Sequence, residues 1–425
     1  MLIHSASQLL TLAGGPQRGH KLGDLGLVAD GAVVIQGNEI IALGSTQEML
    51  AAYPDEERLD AGSCVVMPGF VDPHTHVIWS GDRAAEFEMR LEGKTYLEIL
   101  TAGGGILSTV RSTRIAAIDS LIKETRPRLQ SMLTHGTTTA EAKTGYGLET
   151  EAELRMLQAL IALDDEGPLE LAITFLGAHA IAPEFKNDPQ AYTDLVCEKM
   201  LPAVRQWWPD DRPLPFVDVF CETGAFNLEQ SRQILSQAKQ LGFPLKIHAD
   251  EFDNLGGAAL AAELKAVSAD HLVATSAQDI QTICESETVA VGLPCTPFGL
   301  AEEKYTPAWE MLEANGILAL ATDLNPGTAW CESMQFAIAL GCRYMGLTPA
   351  QAIAAATINA AAAVDRADKI GSLEPGKQAD LIVLNVPGYQ HLGYRFGTNL
   401  VKQVIKQGKL VVDINHQFSN PGKGI

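Results

Sequence analysis

Basic residues are scarce in this chain: 31 Lys and Arg stand against 52 Asp and Glu in 425 residues, a formal net charge of −21. A field of that sign repels phosphate backbones and anionic lipid. It argues against nucleic acid or a membrane surface as partner, and an anionic substrate must be captured by a local Arg or Lys. Cysteine is sparse too. The seven (Cys64, Cys197, Cys221, Cys284, Cys295, Cys331, Cys342) are odd in number, scattered and free of any Cys-x-x-Cys pair, so reduced thiols in a cytoplasmic protein are expected. No apolar stretch reaches the ~18 residues that span a bilayer. The apolar run in residues 1–14 lacks both a basic region ahead of it and a small-residue cleavage site. Also missing is a glycine-rich phosphate loop after an early strand, which weighs against an open doubly wound sheet.

What is present is apolar: 46% hydrophobic content lets a chain of this length bury a large core, in one big domain and a smaller one. Residues 1–67 read as short alternating strands punctuated by Gly, with a hairpin signal at Gly37-Asn38. The runs 379–384 and 401–412 repeat that character. Neither end makes a convincing sheet alone, so residues 1–67 and 372–425 are expected to combine into a small β-sandwich. Between them, in residues 68–371, strand-like runs alternate with helical patterns, the mark of parallel β/α units. Eight strands are predicted, over 64–71, 137–142, 169–176, 216–221, 244–248, 266–270, 288–293 and 317–322. Eight such units close a (β/α)₈ barrel, and the fold class is α/β.

In such a barrel, catalytic groups sit just past the C-terminal strand ends, and here polar residues are predicted there and nowhere else. His74 and His76 flank Thr75 after the first strand and point to one side of an extended backbone. Alone, a His-x-His is as readily structural. Strand 5 ends at His248, strand 6 at His271 and strand 8 at Asp323. A buried carboxylate at the end of an apolar strand needs a cation, a proton or several donors, and a divalent metal supplies that match. Strand 4 ends in Val219-Phe220-Cys221-Glu222 and offers no lysine to bridge two metals, which argues for one ion. Lys143 closes strand 2, in an ion pair or in direct chemistry.

These motifs resemble the amidohydrolase superfamily, over nearly the whole chain, and the flanking segments resemble its imidazolonepropionase family. The resemblance rests on residues 68–76 (Pro-Gly-Phe-Val-Asp-Pro-His-Thr-His), 81–87, 103–111, 143–148, 176–180 and 322–328. It implies one Zn²⁺ or Fe ion per subunit, held by His74, His76, His248 and Asp323, and a homodimer. It also implies contacts to substrate from Arg83, Tyr146, His179, Glu251, Asn325, Gly327 and Thr328. The reaction implied is opening of the cyclic amide of 4-imidazolone-5-propanoate to N-formimidoyl-L-glutamate, in histidine degradation.

By the same likeness the catalytic groups are Asp323, to accept a proton from water, His271, to orient the water or meet the oxyanion, and Glu251, to protonate the leaving nitrogen. Each contact residue has a plainer reading beside it. Arg83 could fork onto a carboxylate or pair with Asp82 or Glu86. Tyr146, between Gly145 and Gly147, could present its hydroxyl or simply pack its ring. Glu251 could reach a substrate nitrogen or face solvent at a helix start, and His179 could orient another ligand. Ala329-Trp330 and Pro297-Phe298-Gly299-Leu300 depart from the family pattern near the expected mouth. The alternatives are an aminohydrolase that releases ammonia from a heterocycle, for which Arg83 has no use, and a non-catalytic barrel, in which ligands would be lost.

Overall fold

The computed structural model describes residues 1–94, 98 and 104–414. Gly103 and the tail beyond residue 414, both within segments singled out above, lie outside them. Strands β1 (Leu2–Leu10), β2 (Leu27–Gln36), β3 (Glu39–Ser45), β4 (Arg58–Asp60) and β5 (Val65–Pro68) open the chain. Then come β6 (Phe70–Asp72), β7 (Thr137–Lys143), β8 (Glu170–Ala178), β9 (Phe216–Cys221), β10 (Lys246–Ala249), β11 (Ser268–His271), β12 (Val289–Gly292) and β13 (Leu318–Leu320). The last three are β14 (Leu381–Leu384), β15 (Val401–Lys406) and β16 (Lys409–Asp413).

The termini meet in one small β unit, a continuous eight-stranded sheet ordered β16-β15-β14-β5-β1-β2-β3 with β4 on β1. Gly37 and Asn38 turn β2 into β3 as the sequence predicts, Gly37 taking φ 61°. Alternate apolar residues such as Ile3, Leu9, Val33, Ile35, Val66, Leu381, Val383 and Ile405 bury one face. The junction between the ends is β5, parallel to β1 and antiparallel to β14.

Strands β6 to β13 form the second sheet, in sequence order and parallel throughout. The ring closes beyond the strand ends. There the His76 amide donates to the Leu324 carbonyl at 2.8 Å and the Asp323 amide to the His74 carbonyl at 3.1 Å. Three of the four residues expected to bind metal, His74, His76 and Asp323, therefore lie on the seam of the barrel, and His248 faces them from β10.

Of the eight predicted barrel strands, seven match within a few residues, and the first is corrected. The run 64–71 is two strands, β5 in the terminal sheet and β6 in the barrel, divided at Gly69. The amide of Gly69 still donates to Asp380 in the terminal unit, while a Cβ there would lie 2.3 Å from Thr138 of the barrel. A second link between the units is Glu170 at the start of β8, which accepts from Lys406 at the end of β15 at 2.5 Å and from Gln378 at 2.7 Å. All seven cysteines are unpaired, and no described helix is long and apolar enough to cross a membrane.

Candidate active site and metal centre

Residues two apart on a strand share a face, and this spacing layers the barrel interior. The lowest layer is apolar: Val71, Ala172, Phe216, Val289, Val291, Ile317 and Ala319 pack against the helix Ile358–Ala363. Above it stands a fully buried charged layer of Glu141, Lys143, Asp218, Lys246 and Asp270. The expectation that polar groups fall only past the strand ends is thereby corrected. Lys143 lies 2.8 Å from Glu141, 2.7 Å from Asp218 Oδ2 and 3.5 Å from Asp270 Oδ2. Its role is the buried ion pair. Lys246 reaches Glu141 at 3.1 Å and donates to the Pro73 carbonyl at 2.8 Å.

The imidazoles stand on that layer. His74 Nδ1 is 2.6 Å from Asp270 Oδ2, and since an ionised carboxylate only accepts, Nδ1 carries the hydrogen and Nε2 keeps its lone pair. Nδ1 of His248 lies 2.9 Å from Asp218 Oδ2. The opposite nitrogens converge: His248 Nε2 is 3.2 Å from His76 Nε2, and Asp323 Oδ1 is 3.5 Å from His74 Nε2 and 3.6 Å from His76 Nε2. Ligand atoms about 2.1 Å from a shared tetrahedral ion stand about 3.4 Å apart, so these spacings fit one. His74 Nε2 and Asp323 Oδ1 are buried with no hydrogen-bond partner, an arrangement that costs free energy unless a cation fills the gap. Burial, followed by nearby positive charge, holds His74 and His76 well below the ordinary histidine range, so both are neutral donors. The two ammonium groups of the charged layer face three carboxyl groups, and Asp323 adds another, an excess of acidic groups that favours a cation.

Beside these ligands lies a cavity of about 610 Å³. Its lining includes His76, His248 and Asp323, and also Arg83, Tyr146, His179, Glu251, His271, Asn325, Gly327 and Thr328. Every residue expected at the site except the deeper His74 thus reaches one chamber. Trp330 and Phe298 do not line it. Trp330 stacks edge-on against Trp79 at 4.9 Å and Phe298 against Phe336 at 5.3 Å.

Several alternatives left open by the sequence are decided locally. Arg83 takes both: it lines the cavity, yet its Nε donates to Glu86 Oε2 at 2.9 Å and its Nη2 to Glu86 Oε1. Gly327 is where this arginine passes, since a Cβ there would fall 2.4 Å from Nη1. Asn325 spends its side chain on the turn, accepting from the amides of Gly327 and Thr328 at 2.8 Å and donating to the Asp323 carbonyl at 2.7 Å. Gly145, at φ 109°, lets its carbonyl accept from His179 Nδ1 at 3.1 Å, which leaves Nε2 of His179 as an acceptor. That ring stacks on His76 at 4.6 Å. Burial and the charges of Asp323 and Glu222 push the Glu251 carboxyl well above the usual carboxylate range, which favours its protonated form. It faces His271 Nδ1 at 3.6 Å. Burial likewise raises Asp323 to about 6, and keeps Tyr146 a phenol.

A profile of the amidohydrolase family matches residues 65–411. A second profile, an imidazolonepropionase-like composite domain of bacteria, matches residues 31–55. The chain is 51% identical over 414 residues to an imidazolonepropionase of Herpetosiphon aurantiacus, covering 96% of both chains.

The chain belongs to the imidazolonepropionase family.

A Chloroflexus aggregans imidazolonepropionase is 47% identical over 97% of this chain and 98% of its own. Among solved structures, this member of the family is similar to a Xanthomonas campestris adenosine deaminase with bound zinc, with a TM-score of 0.70 at 18% identity over 97% of this chain and 92% of that one. It is also similar to a Klebsiella pneumoniae 5-methylcytosine deaminase, with a TM-score of 0.72 at 18% identity over 97% of each. At such identity the likeness is one of fold.

Sequence reasoning missed Glu141, Asp218, Lys246 and Asp270. Their signal was alternation: Glu141-Ala142-Lys143 and Lys246-Ile247-His248 place charges on alternate positions of strands buried on both faces. It also missed the left-handed backbone at His271, φ 78°, and Asp323, φ 55°, for which the residue type is only a weak sign, Asp and His being the side chains besides Asn that most often adopt it.

Proposed function

We propose that this protein hydrolyses 4-imidazolone-5-propanoate to N-formimidoyl-L-glutamate in histidine degradation. The observation that carries the reading is a single cavity whose lining includes metal-ligand candidates and, among the described residues, one Arg or Lys, Arg83. A neutral heterocycle has no need of that cation, whereas the propanoate does. Identity of about half over the whole length with the two imidazolonepropionases described above supports the same reading.

His74, His76, His248 and Asp323 would hold one zinc or iron ion per subunit, since three imidazoles and a carboxylate suit either. Such an ion acidifies water and polarises a carbonyl. Asp323 accepts the proton of the attacking water. The water oxygen bonds to the ring carbonyl carbon, the carbon–nitrogen bond breaks, and Glu251, whose protonated form burial favours, gives its proton to the departing nitrogen. His271, beside Glu251, orients the water or meets the oxygen that becomes negative. Arg83 turns part of its fork from Glu86 to the propanoate, and Tyr146, His179, Asn325, Gly327 and Thr328 border the bound ring. The cytoplasmic setting is supported by seven unpaired thiols, and a homodimer by the family resemblance.

The test is an assay of metal-loaded protein with freshly generated imidazolonepropanoate beside a panel of aminated heterocycles, with products identified by mass. Gain of one water by the imidazolone is expected. Ammonia release from a heterocycle, with the imidazolone untouched, would overturn the assignment.

A further inference from the structure

Each side of the charged layer ends on a different ligand. Asp270 accepts from His74 Nδ1 on Oδ2 at 2.6 Å and from Ser268 Oγ on Oδ1 at 2.6 Å. Asp218 accepts the backbone N–H of His248 on Oδ1 at 3.1 Å, while its Oδ2 lies 2.9 Å from His248 Nδ1. Lys143 stands between them, 2.7 Å from Asp218 Oδ2 and 3.5 Å from Asp270 Oδ2, with Glu141 on its remaining side. All four of these charged groups are fully buried.

We propose that Lys143, bridging Asp218 and Asp270, is a clamp that fixes the ligating tautomers of His248 and His74 together and so sets how tightly the ion is held. An imidazole offers Nε2 to a cation only while its hydrogen sits on Nδ1, and a carboxylate opposite Nδ1 favours that choice, through a hydrogen bond at His74 and an ion-pair contact of 2.9 Å at His248. Two carboxylates so close in a dry interior would repel each other. The single ammonium between them makes both stable at once, so the two ligands are oriented as a unit. None of these three groups is placed to touch substrate, since none lines the cavity. They are positioning residues.

The inference rests on the reading that an ion occupies this site, and its test does not depend on the substrate. In Asp218→Asn, Oδ1 still accepts from the His248 amide, so the new NH₂ is driven towards Lys143 and Nδ1, where donor meets donor. In Asp270→Asn, an NH₂ facing His74 would draw the hydrogen to Nε2. Zinc affinity, measured by competition with a chromophoric chelator, should fall on the order of 10- to 100-fold in each, and the visible spectrum of the Co²⁺-loaded protein should change. Glu153→Gln is the control. That carboxylate is equally buried and accepts from the amides of Gly145, Gly147 and Leu148, but it touches no ligand histidine. It should lose stability without losing zinc.

Lys143→Met separates the clamp from simple electrostatics. Removing a nearby positive charge would tighten zinc binding if Lys143 acted only through its field, whereas loss of the clamp weakens it. Zinc affinity and cobalt spectra unchanged in both Asn variants would overturn the proposal, as would tighter zinc in Lys143→Met. A wild-type protein that binds no zinc, cobalt or iron would instead bring down the metal site itself, and the clamp with it.

Discussion

At Asp323 one carboxylate oxygen accepts from Thr296 and the other has no hydrogen-bond partner, in a residue whose backbone is left-handed. An amide in its place keeps the shape and loses the base. Asp323→Asn should reduce kcat on the order of 10³-fold or more; a variant retaining a tenth of the wild-type kcat would remove Asp323 from proton transfer. Arg83→Met tests the opposite end of the cavity. It should raise KM roughly 10- to 100-fold, the loss of one charge-assisted pair, with kcat changed far less. The same variant should no longer discriminate between the propanoate and its propanamide analogue. Glu251 acts as the protonated form of a group whose pKa is raised by burial. Its proton is present below that raised pKa and lost above it, so kcat should decline on the alkaline side. Glu251→Gln should lower kcat and abolish that decline; an unchanged alkaline limb would assign it to another group.

Among the structural elements, the Glu170 contact ties barrel strand β8 to terminal strand β15. Burial alone would raise the Glu170 carboxyl, but Lys406 and Arg366 override it and hold it at about 2, against an ordinary value of 4.5. A depressed carboxylate contributes stability that is complete above the unfolded value and drains away as pH falls from 4.5 towards 2. Glu170→Gln should therefore cost on the order of 1–2 kcal/mol at neutral pH, a figure reduced for the solvent that reaches the side chain. The difference from wild type should shrink below about pH 4. Urea melts at pH 7 and pH 3 measure both, and a penalty equal at the two would show that charge is not what matters at this joint.

Seven barrel strands were legible because β-branched runs separated by helical periods leave few other readings. The first was misread because Cys64 to Val71 carries no charged residue, and only Pro68-Gly69 marks where one sheet ends and another begins. Likewise His74, His248 and Asp323 were legible because a strand end is a known place for chemistry. Asp218 and Asp270 were not, because a carboxylate within a strand reads as turned to solvent until its partners Lys143 and Lys246 are known to share the interior.

Across the whole molecule, the ligand candidates come from beyond β6, from β10 and from beyond β13, so a bound ion joins distant parts of the ring. Removing it with a chelator should lower the melting temperature by several degrees, and returning zinc or iron should restore it, because a ligand at a thousandfold excess over its Kd adds about 4 kcal/mol. A melt indifferent to the chelator would mean that the four side chains hold no ion.

The closure of the barrel through His74, His76, Asp323 and Leu324 also sets an order of events during synthesis. When His74 is joined to the growing chain, the carboxylate that completes its site is still 249 residues from being made, and β5 waits longer still for β14 to cover its edge. A nascent chain stopped before Asp323 holds three imidazoles but neither the carboxylate nor the far side of the seam, and the strands that cover β5 are made only after both.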